Sequence, residues 1–214
     1  MNNIDNIVKH EVRIALDQLP FPIDDDACGK LTQYLQGMLL WNRAYNLTAI
    51  TDPEEMIIKH LLDSLVLVPE LRQRFHSASL IDVGTGAGLP GIPLSIVMPD
   101  FQFTLLDSAT KRTRFIQQMK IEIGLPNVTV ITSRVQDYQP ETKFDGVLSR
   151  AFASGNDMVK WSQHLLKERG MMVAMKGKVI HSEWEDVVDF PTQEVVELKV
   201  PGLNEERHLI LLSK

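Results

Sequence analysis

The chain has 214 residues, of which 44% are hydrophobic and 23% charged, and its formal net charge is −6. This composition predicts a globular core and excludes a low-complexity chain. No apolar run reaches the roughly 18 residues that a membrane-spanning helix needs. Cys28 is the single cysteine, so no disulfide can form within the chain, and we expect a cytoplasmic protein with no membrane partner. The six histidines lack ligand spacing, and no metal site is expected.

The charge is distributed unevenly along the chain. Residues 111–178 hold 12 Lys or Arg and 6 Asp or Glu, a net charge of +6, whereas the remaining residues hold 10 and 22, a net charge of −12. Such asymmetry is expected of a surface that faces nucleic acid on an otherwise acidic protein. Ordinary solvated helix faces are the alternative interpretation.

The first 76 residues are predicted to form helices, because their apolar side chains recur at three- and four-residue spacing. A second helix is expected to begin near the acidic cluster Asp24-Asp25-Asp26, whose charge suits a helix N-terminus. The third helix has an explicit start signal, with Asp52 as N-cap, Pro53 in the first turn and Glu55 three residues beyond the cap.

From residue 79 onward, short apolar runs alternate with helical patterns, which predicts a mostly parallel sheet covered on both faces. The predicted strands are 79–84, 103–107, 128–132, 144–149, 170–176, 193–200 and 207–213. The predicted helices between them lie near 90–98, 110–123, 155–167 and 180–188. The connection from Pro201 to Glu206 is too short for a helical crossover, so the last two strands must pair antiparallel. We therefore expect an N-terminal helical segment (1–76) and a seven-stranded α/β domain (77–214), packed as one globular unit.

The stretch from Leu80 to Gly91 is an apolar run that breaks into a glycine-dense turn. Three glycines at alternate positions (Gly84, Gly86 and Gly88) let the backbone lie against a ligand where any Cβ would collide. The next predicted strand ends in Asp107, an acid that can accept hydrogen bonds from both hydroxyls of a ribose. Together these features predict a cofactor that contains a nucleoside.

Three details favour S-adenosylmethionine over a nicotinamide dinucleotide. Asp82 lies inside the strand end, where it can orient the loop or reach an amino group through water, but where it would repel a pyrophosphate. The predicted terminal hairpin is typical of the Rossmann-like class I fold of S-adenosylmethionine-dependent methyltransferases. We expect no C-terminal substrate domain of the kind that dehydrogenases carry after that hairpin. A dehydrogenase is the weaker alternative.

Further site residues follow from the strand ends. Ser108 stands beside Asp107, which could instead cap the next helix. Val135 and Gln136 follow the third strand, where proteins of this architecture bind the edge of the adenine ring. Arg150 ends the fourth strand, in place of the acid or amide and two prolines typical of enzymes that methylate exocyclic amines. An arginine suits a carboxylate, a phosphate or the O6/N7 edge of guanine.

From about Trp41 to the C-terminus the chain contains a series of short motifs. They are Asn46-Leu47-Thr48 followed by Asp52-Pro53, Lys59-His60-Leu61-Leu62-Asp63-Ser64, DVGTGAGLPGIPL, Leu106-Asp107-Ser108 with Lys111-Arg112, Ser133-Arg134-Val135, Leu148-Ser149-Arg150-Ala151-Phe152-Ala153, Lys176-Gly177 and Glu206-Arg207-His208-Leu209. In this combination they resemble a known family, the bacterial small-subunit (16S) ribosomal RNA guanine-N7 methyltransferases (RsmG, formerly GidB).

The resemblance implies methyl transfer from S-adenosylmethionine to N7 of one guanine near the decoding region. It places cofactor contacts at Gly84, Leu89, Val135, Gln136 and Arg150, although an acid is frequent in the family where this chain has Gln136. No general base is expected, because N7 carries a lone pair and no proton, and Arg150 is the best candidate for a catalytic role. The expected partner is small-subunit ribosomal RNA or the small subunit, bound by a monomer.

Phosphate contacts should supply most of the RNA affinity. Helix-dipole or solvating roles are the alternative for each candidate. The candidates are Lys111, Arg112, Arg114, Arg134, Lys176 and Lys178. Tyr45 could stack on a flipped base or belong to a buried aromatic cluster. The alternative functions are methylation of another RNA, a protein or a small molecule, and non-catalytic binding of RNA or S-adenosylmethionine.

Overall fold

The computed structural model describes residues 3–150, 154–180, 184, 187, 190 and 192–213. The helical elements are α1 (Asn3–Leu16), α2 (Asp25–Tyr45), α3 (Pro53–Met56), a π-helix (Ile57–Leu62), α4 (Asp63–Leu65), α5 (Val68–Arg74), α6 (Gly91–Val97), α7 (Thr110–Ile123), α8 (Gly155–Ser162) and a 3-10 turn (Gln163–Leu165). The strands are β1 (Ser79–Val83), β2 (Gln102–Asp107), β3 (Val128–Thr132), β4 (Phe144–Arg150), β5 (Leu166–Lys176), β6 (Thr192–Glu197) and β7 (His208–Ser213).

The strands form a seven-stranded sheet in the order β3-β2-β1-β4-β5-β7-β6. The first five strands pair parallel, and β7 pairs antiparallel with both β5 and β6. The predicted mostly parallel sheet with a terminal antiparallel hairpin is therefore confirmed. The strand order reverses between β1 and β4, and open α/β sheets bind their ligands in the crevice at such a point.

Some element boundaries differ from the prediction. The helix predicted over 155–167 ends at Ser162, and the chain passes through the 3-10 turn into β5 at Leu166 rather than at 170. Leu165 and Leu166 are both buried, so their apolar character reflects a strand entry rather than a helix face. The helix predicted near 180–188 lies largely outside the described residues.

Two hydrophobic clusters lie on opposite faces of the sheet. Leu80, Leu105 and Leu148 pack in one cluster with side chains of α1 and α2. Ile81 and Val147 belong to the other cluster, which includes α8. Because side chains alternate along a strand, the even-numbered residues near the ends of β1 and β4 point to the face that the N-terminal helices cover. The domain boundary between residues 76 and 77 stays a prediction.

The third helical region departs from a regular α-helix. It begins as predicted, with the Asp52 Oδ1 atom accepting a hydrogen bond from the Glu55 backbone N–H at 2.9 Å. Its middle is the π-helix Ile57–Leu62, where the expectation of a regular helix is wrong. Every residue from His60 to Val68 is buried, so this segment is packed on all sides instead of presenting one apolar stripe. Single π turns inside helices are frequent at functional sites.

Within the described ranges, no helix is long and apolar enough to cross a bilayer. The same residues contain no group of His, Cys, Asp or Glu side chains placed to hold a metal ion.

Candidate functional site

The glycine turn after β1 adopts a backbone that favours glycine. Gly84, Gly86 and Gly88 have φ angles of +68°, +63° and +92°. A Cβ on Gly88 would lie 2.6 Å from the Ile92 Cγ1 atom, whereas a Cβ on Gly86 would meet nothing within 4 Å. The inner side of the turn is therefore packed against α6, while the position of Gly86 leaves space above the backbone.

The Asp82 side chain fixes this turn by accepting hydrogen bonds. Its Oδ2 atom accepts hydrogen bonds from the Thr85 hydroxyl at 2.6 Å and from the Gly91 N–H at 3.0 Å. Burial raises the pKa of Asp82 to about 7, against the lowering effect of those two hydrogen bonds and of the positive charge on Arg150. Of the two roles predicted for Asp82, loop orientation is thus visible in its hydrogen bonds.

Asp107 connects the glycine turn to the start of α7. Its Oδ2 atom accepts a hydrogen bond from the Gly86 N–H at 2.9 Å and pairs with the Arg112 guanidinium at 3.3 Å. Its Oδ1 atom accepts from the Ala109 N–H at 2.8 Å, although the N-cap position of α7 is Ala109. Asp107 therefore orders the entry to the helix from outside it, and its predicted contact with a ribose remains a prediction.

A cavity of about 320 Å³, here called the glycine-loop pocket, opens at the carboxyl ends of β1, β2 and β3. It brings together five residues that the sequence predicted for the cofactor, and its lining is Gly84, Leu106, Asp107, Ser108, Arg112, Ser133, Arg134, Val135, Gln136 and Trp161. Gly88 and Leu89 are buried behind the turn and do not line it. Trp161 was not predicted, because a half-buried tryptophan on α8 is expected to belong to the core.

Arg150 lies at the end of β4, on the face covered by the N-terminal helices. Its Nη1 atom donates to the Lys59 carbonyl at 2.9 Å and to the Asp63 Oδ2 atom at 3.1 Å. The Nε atom of Arg207 donates to the other Asp63 oxygen at 2.9 Å. Asp63 is 3% exposed, so one buried carboxylate joins β4 to the start of β7.

The neighbouring His60 is held by a second set of hydrogen bonds. Its Nδ1 atom lies 3.0 Å from the Lys59 carbonyl and therefore carries the proton, so its Nε2 atom accepts from the Thr48 hydroxyl at 3.0 Å. Burial and the charge of Arg150 lower the pKa of His60 to about 4, which keeps the ring neutral near pH 7. Asn42 Oδ1 accepts from the Thr48 N–H at 2.9 Å and fixes the loop that follows α2.

A second cavity, of about 600 Å³, lies beside these groups and is here called the arginine cavity. Its lining is Ile50, Lys59, His60, Asp63, Arg150, Met175, Lys176, Gly177 and Arg207. Arg150 was predicted for the cofactor and Lys176 for RNA phosphates, and the structure places both in this cavity and not in the glycine-loop pocket. The roles of His60, Asp63 and Arg207 were missed. His60 and Asp63 are polar residues beside leucines in one motif, and Arg207 is a charged residue next to the start of the last strand. Polar residues at such positions are a sequence signal that could have identified them.

The predicted RNA-binding residues fall into two groups. Lys111, Arg114, Arg134 and Lys178 are exposed. The other two are less exposed and contact other side chains. Arg112 pairs with Asp107, and the Lys176 ammonium lies 5.9 Å from the centre of the Trp184 ring.

Three buried polar atoms at this edge of the sheet have no hydrogen-bond partner among the described residues. They are Asp82 Oδ1, Arg112 Nε and Ser149 Oγ. Buried polar groups are nearly always paired, so unpaired atoms near the ends of β1 and β4 and at the start of α7 fit a site completed by a polar ligand. An acceptor beside a glycine turn and a donor beside an acidic strand end suit the mixed donors and acceptors of a nucleoside-containing amino acid.

Comparisons with known proteins agree with this geometry. The model of the family described as rRNA small subunit methyltransferase G matches residues 27–210. The chain is 48% identical over 206 residues to Ribosomal RNA small subunit methyltransferase G of Shewanella baltica, covering 95% of this chain and 98% of the relative. It is 50% identical over 201 residues to the protein of that name from Hydrogenovibrio crunogenus, covering 94% and 91%.

A solved structure with a similar fold is a SAM-dependent methyltransferase from Aquifex aeolicus. Its TM-score is 0.56 at 15% identity, and the match covers 78% of this chain and 96% of that one. At this identity the likeness concerns the fold alone, and it confirms the Rossmann-like methyltransferase architecture. With the family match over most of its length, the chain belongs to the rRNA small subunit methyltransferase G family.

Proposed function

We propose that the chain transfers a methyl group from S-adenosylmethionine to N7 of a guanine in small-subunit (16S) ribosomal RNA, near the decoding region. The observation that carries this proposal is the family match over residues 27–210, which spans the glycine turn and every segment of both cavities. We further propose that the protein works as a monomer in the cytoplasm, where ribosomal subunits are found.

When bound, S-adenosylmethionine supplies a methyl group already activated on a sulfonium. We assign its nucleoside to the glycine-loop pocket, with Asp107 and Ser108 toward the ribose and Val135 and Gln136 toward the adenine. Gly84, Gly86, Gly88 and Leu89 shape the turn around it. We assign the amino-acid part to the side of Asp82, whose unpaired Oδ1 atom is an acceptor for an ammonium group.

We assign the target guanine to the arginine cavity, which adjoins the end of β4. Guanine N7 needs no general base, so the residues here position the base instead of moving a proton. Two or more reactants held in line gain up to about 7–11 kcal/mol from orientation alone. A cation against N7 would oppose the positive charge that develops on the purine, so Arg150 and Arg207 are placed to face O6 or the cofactor, held in position by Asp63.

The phosphate backbone of the RNA would lie along the exposed cations Lys111, Arg114, Arg134 and Lys178 at the same edge of the sheet. Arg112 lines the glycine-loop pocket and Lys176 lines the arginine cavity, so we assign them to binding inside these cavities and not to the phosphate backbone.

The test uses methyl-labelled S-adenosylmethionine with small subunits, and separately with their naked RNA, from cells that lack the enzyme. Label at N7 of a single guanine is expected. Label on an exocyclic amine or a ribose would contradict the N7 assignment. Labelled cofactor that binds tightly and transfers to neither substrate would instead indicate a non-catalytic binding protein, or a different methyl acceptor.

A further inference from the structure

An aromatic pair ends helix α2 with one face turned outward. Tyr45, the last residue of α2, is 45% exposed, and its ring stacks on that of Trp41 with centroids 5.0 Å apart and 29° between the planes. Trp41 is itself half-buried against Phe115, at a centroid distance of 5.6 Å. The core thus fixes Trp41, and Trp41 supports one side of the Tyr45 ring.

A comparison with Tyr34 on the same helix separates this residue from a structural tyrosine. Tyr34 is fully buried, and its hydroxyl donates to the Ala87 carbonyl of the glycine turn at 2.7 Å. Within the described part of the chain, the Tyr45 hydroxyl makes no hydrogen bond. The alternative of a buried aromatic cluster is wrong for Tyr45, because this residue is 45% exposed.

Tyr45 is connected to segments of both cavities. The Lys111 ammonium, in the first turn of α7, donates to the Tyr45 carbonyl at 3.2 Å, and that turn follows Asp107 of the glycine-loop pocket. In the other direction, the loop after Tyr45 reaches Ile50, which lines the arginine cavity. The aromatic face therefore stands at the same edge of the sheet as the site.

The two helices that meet at Tyr45, α2 and α7, carry exposed cations. Arg43 in the last turn of α2 is exposed, as are Lys111 and Arg114 on α7. Residues 31–51 and 108–121 contain no Asp or Glu. An aromatic ring among cations that track a phosphate backbone is the arrangement with which proteins bind single-stranded nucleic acid, each base stacking on a ring.

We propose that the exposed face of Tyr45 is a platform on which an unpaired base of the ribosomal RNA stacks, next to the guanine that enters the arginine cavity. This proposal rests on the proposed function, since it takes RNA as the substrate. Stacking on a ring is tolerant of base identity, so Tyr45 contributes affinity and the alignment of the strand rather than sequence choice.

The test compares Tyr45→Ala with Tyr45→Phe, using Leu40→Ala as the matched control. Leu40 is on the same helix and 65% exposed, so its truncation removes similar apolar surface without the ring. Dissociation constants are measured for small-subunit RNA from cells lacking the enzyme and, separately, for S-adenosylmethionine. Tyr45→Ala should weaken RNA binding roughly tenfold, while Tyr45→Phe and Leu40→Ala should stay within about twofold of wild type. Affinity for S-adenosylmethionine should be unchanged in all three variants, which also shows that they are folded.

Unaltered RNA affinity in Tyr45→Ala, while the wild-type protein still methylates the RNA, would overturn the platform and leave the proposed function intact. A Tyr45→Phe variant as weak as Tyr45→Ala would also overturn it, because the hydroxyl rather than the ring would then carry the contact. Wild-type protein that neither binds nor methylates the RNA would overturn the proposed function, and the platform with it.

Discussion

The glycine-loop pocket and the arginine cavity lie at the same edge of the sheet but are built differently. The first is formed mainly by the ends of β1, β2 and β3 and their following turns, each of which carries its functional residue in a short local motif. The second joins the π-helix, β4, β5 and the start of β7, which are far apart in the chain, through a buried carboxylate. A local motif reveals the chemistry of the first pocket, whereas only tertiary contacts reveal that of the second.

The largest effect is expected from breaking the arginine cavity with Arg150→Ala. The change leaves Asp63 with Arg207 alone and removes the donor to the Lys59 carbonyl. Loss of one partner from a buried ion pair is strongly destabilising, and here it also releases a wall of the proposed guanine site. We expect kcat/KM for RNA methylation to fall by about 100-fold or more, which corresponds to roughly 3 kcal/mol.

The matched control is Arg74→Ala, at the opposite edge of the sheet. Arg74 is also largely buried and pairs with Glu70 and with Glu194, the latter at 2.8 Å. Its loss should lower the melting temperature without changing kcat/KM measured below that temperature. Near-normal turnover of purified Arg150→Ala would remove Arg150 from the site.

The sequence was sufficient for most of the fold because the sheet is built from short strands with clear turn residues. It predicted a helix near 110–123, where α7 spans Thr110–Ile123, and the antiparallel hairpin followed from the length of one loop. The π-helix was missed because its residues also fit an α-helical spacing, and the wider turn arises only when the segment is packed on all sides. Arg207 was missed as a site residue for a related reason, since the position of its partner Asp63 depends on that π-helix.

The glycine-loop pocket can be tested with Gly86→Ala. Its backbone is left-handed, so a Cβ costs about 1–2 kcal/mol of stability, yet within the protein that Cβ would meet no atom within 4 Å. If the cofactor lies over the turn, the added Cβ atom would occupy space that the cofactor needs. The affinity for S-adenosylmethionine should then fall by about tenfold or more.

Gly124→Ala separates this effect from backbone strain. Gly124 ends α7 with φ +73°, and its Cβ would likewise meet nothing within 4 Å, but it lines neither cavity. Urea unfolding should show similar losses of stability in both variants, and calorimetric titration with S-adenosylmethionine should show a loss of affinity in Gly86→Ala alone. Equal affinities in the two variants would place the cofactor away from the turn.

The next effect concerns the pH dependence of cofactor binding through Asp82. Burial raises the pKa of Asp82 to about 7 from an ordinary value of 3.8, so the carboxyl is mainly neutral at pH 6 and mainly charged at pH 8. An ammonium bound beside it favours the charged form, and the affinity should therefore increase as pH rises, by up to about tenfold per unit below the pKa. Wild type and Asp82→Asn are compared at each pH, because their ratio cancels the titration of the ligand itself. A ratio independent of pH between 5.5 and 7.5, roughly the range in which the carboxyl ionises, would place the ammonium elsewhere.

In the unliganded protein the sign of the Asp82 effect is the opposite. A carboxyl whose pKa is raised on folding stabilises the native state most below the unfolded pKa of 3.8, and that contribution is lost as pH rises to about 7. The free energy of unfolding of wild type, relative to Asp82→Asn, should therefore fall over this interval when measured in urea. Binding and stability thus give two independent readings of the same carboxyl.

The smallest effects per residue are expected from the exposed cations that we propose contact RNA phosphates. Each phosphate contact contributes about 0.7 to the slope of the logarithm of the RNA association constant against the logarithm of salt concentration, for single-stranded RNA. Removing Lys111, Arg114, Arg134 or Lys178 singly should therefore reduce that slope by roughly 0.7 and weaken binding a few-fold at low salt. Arg169→Ala is the control, because Arg169 is exposed near the start of β5, at the opposite edge of the sheet. Equal changes in slope for Arg169→Ala and for the four candidate variants would contradict the assignment. They would mean that RNA affinity depends on the net charge of the protein and not on phosphate contacts beside the two cavities.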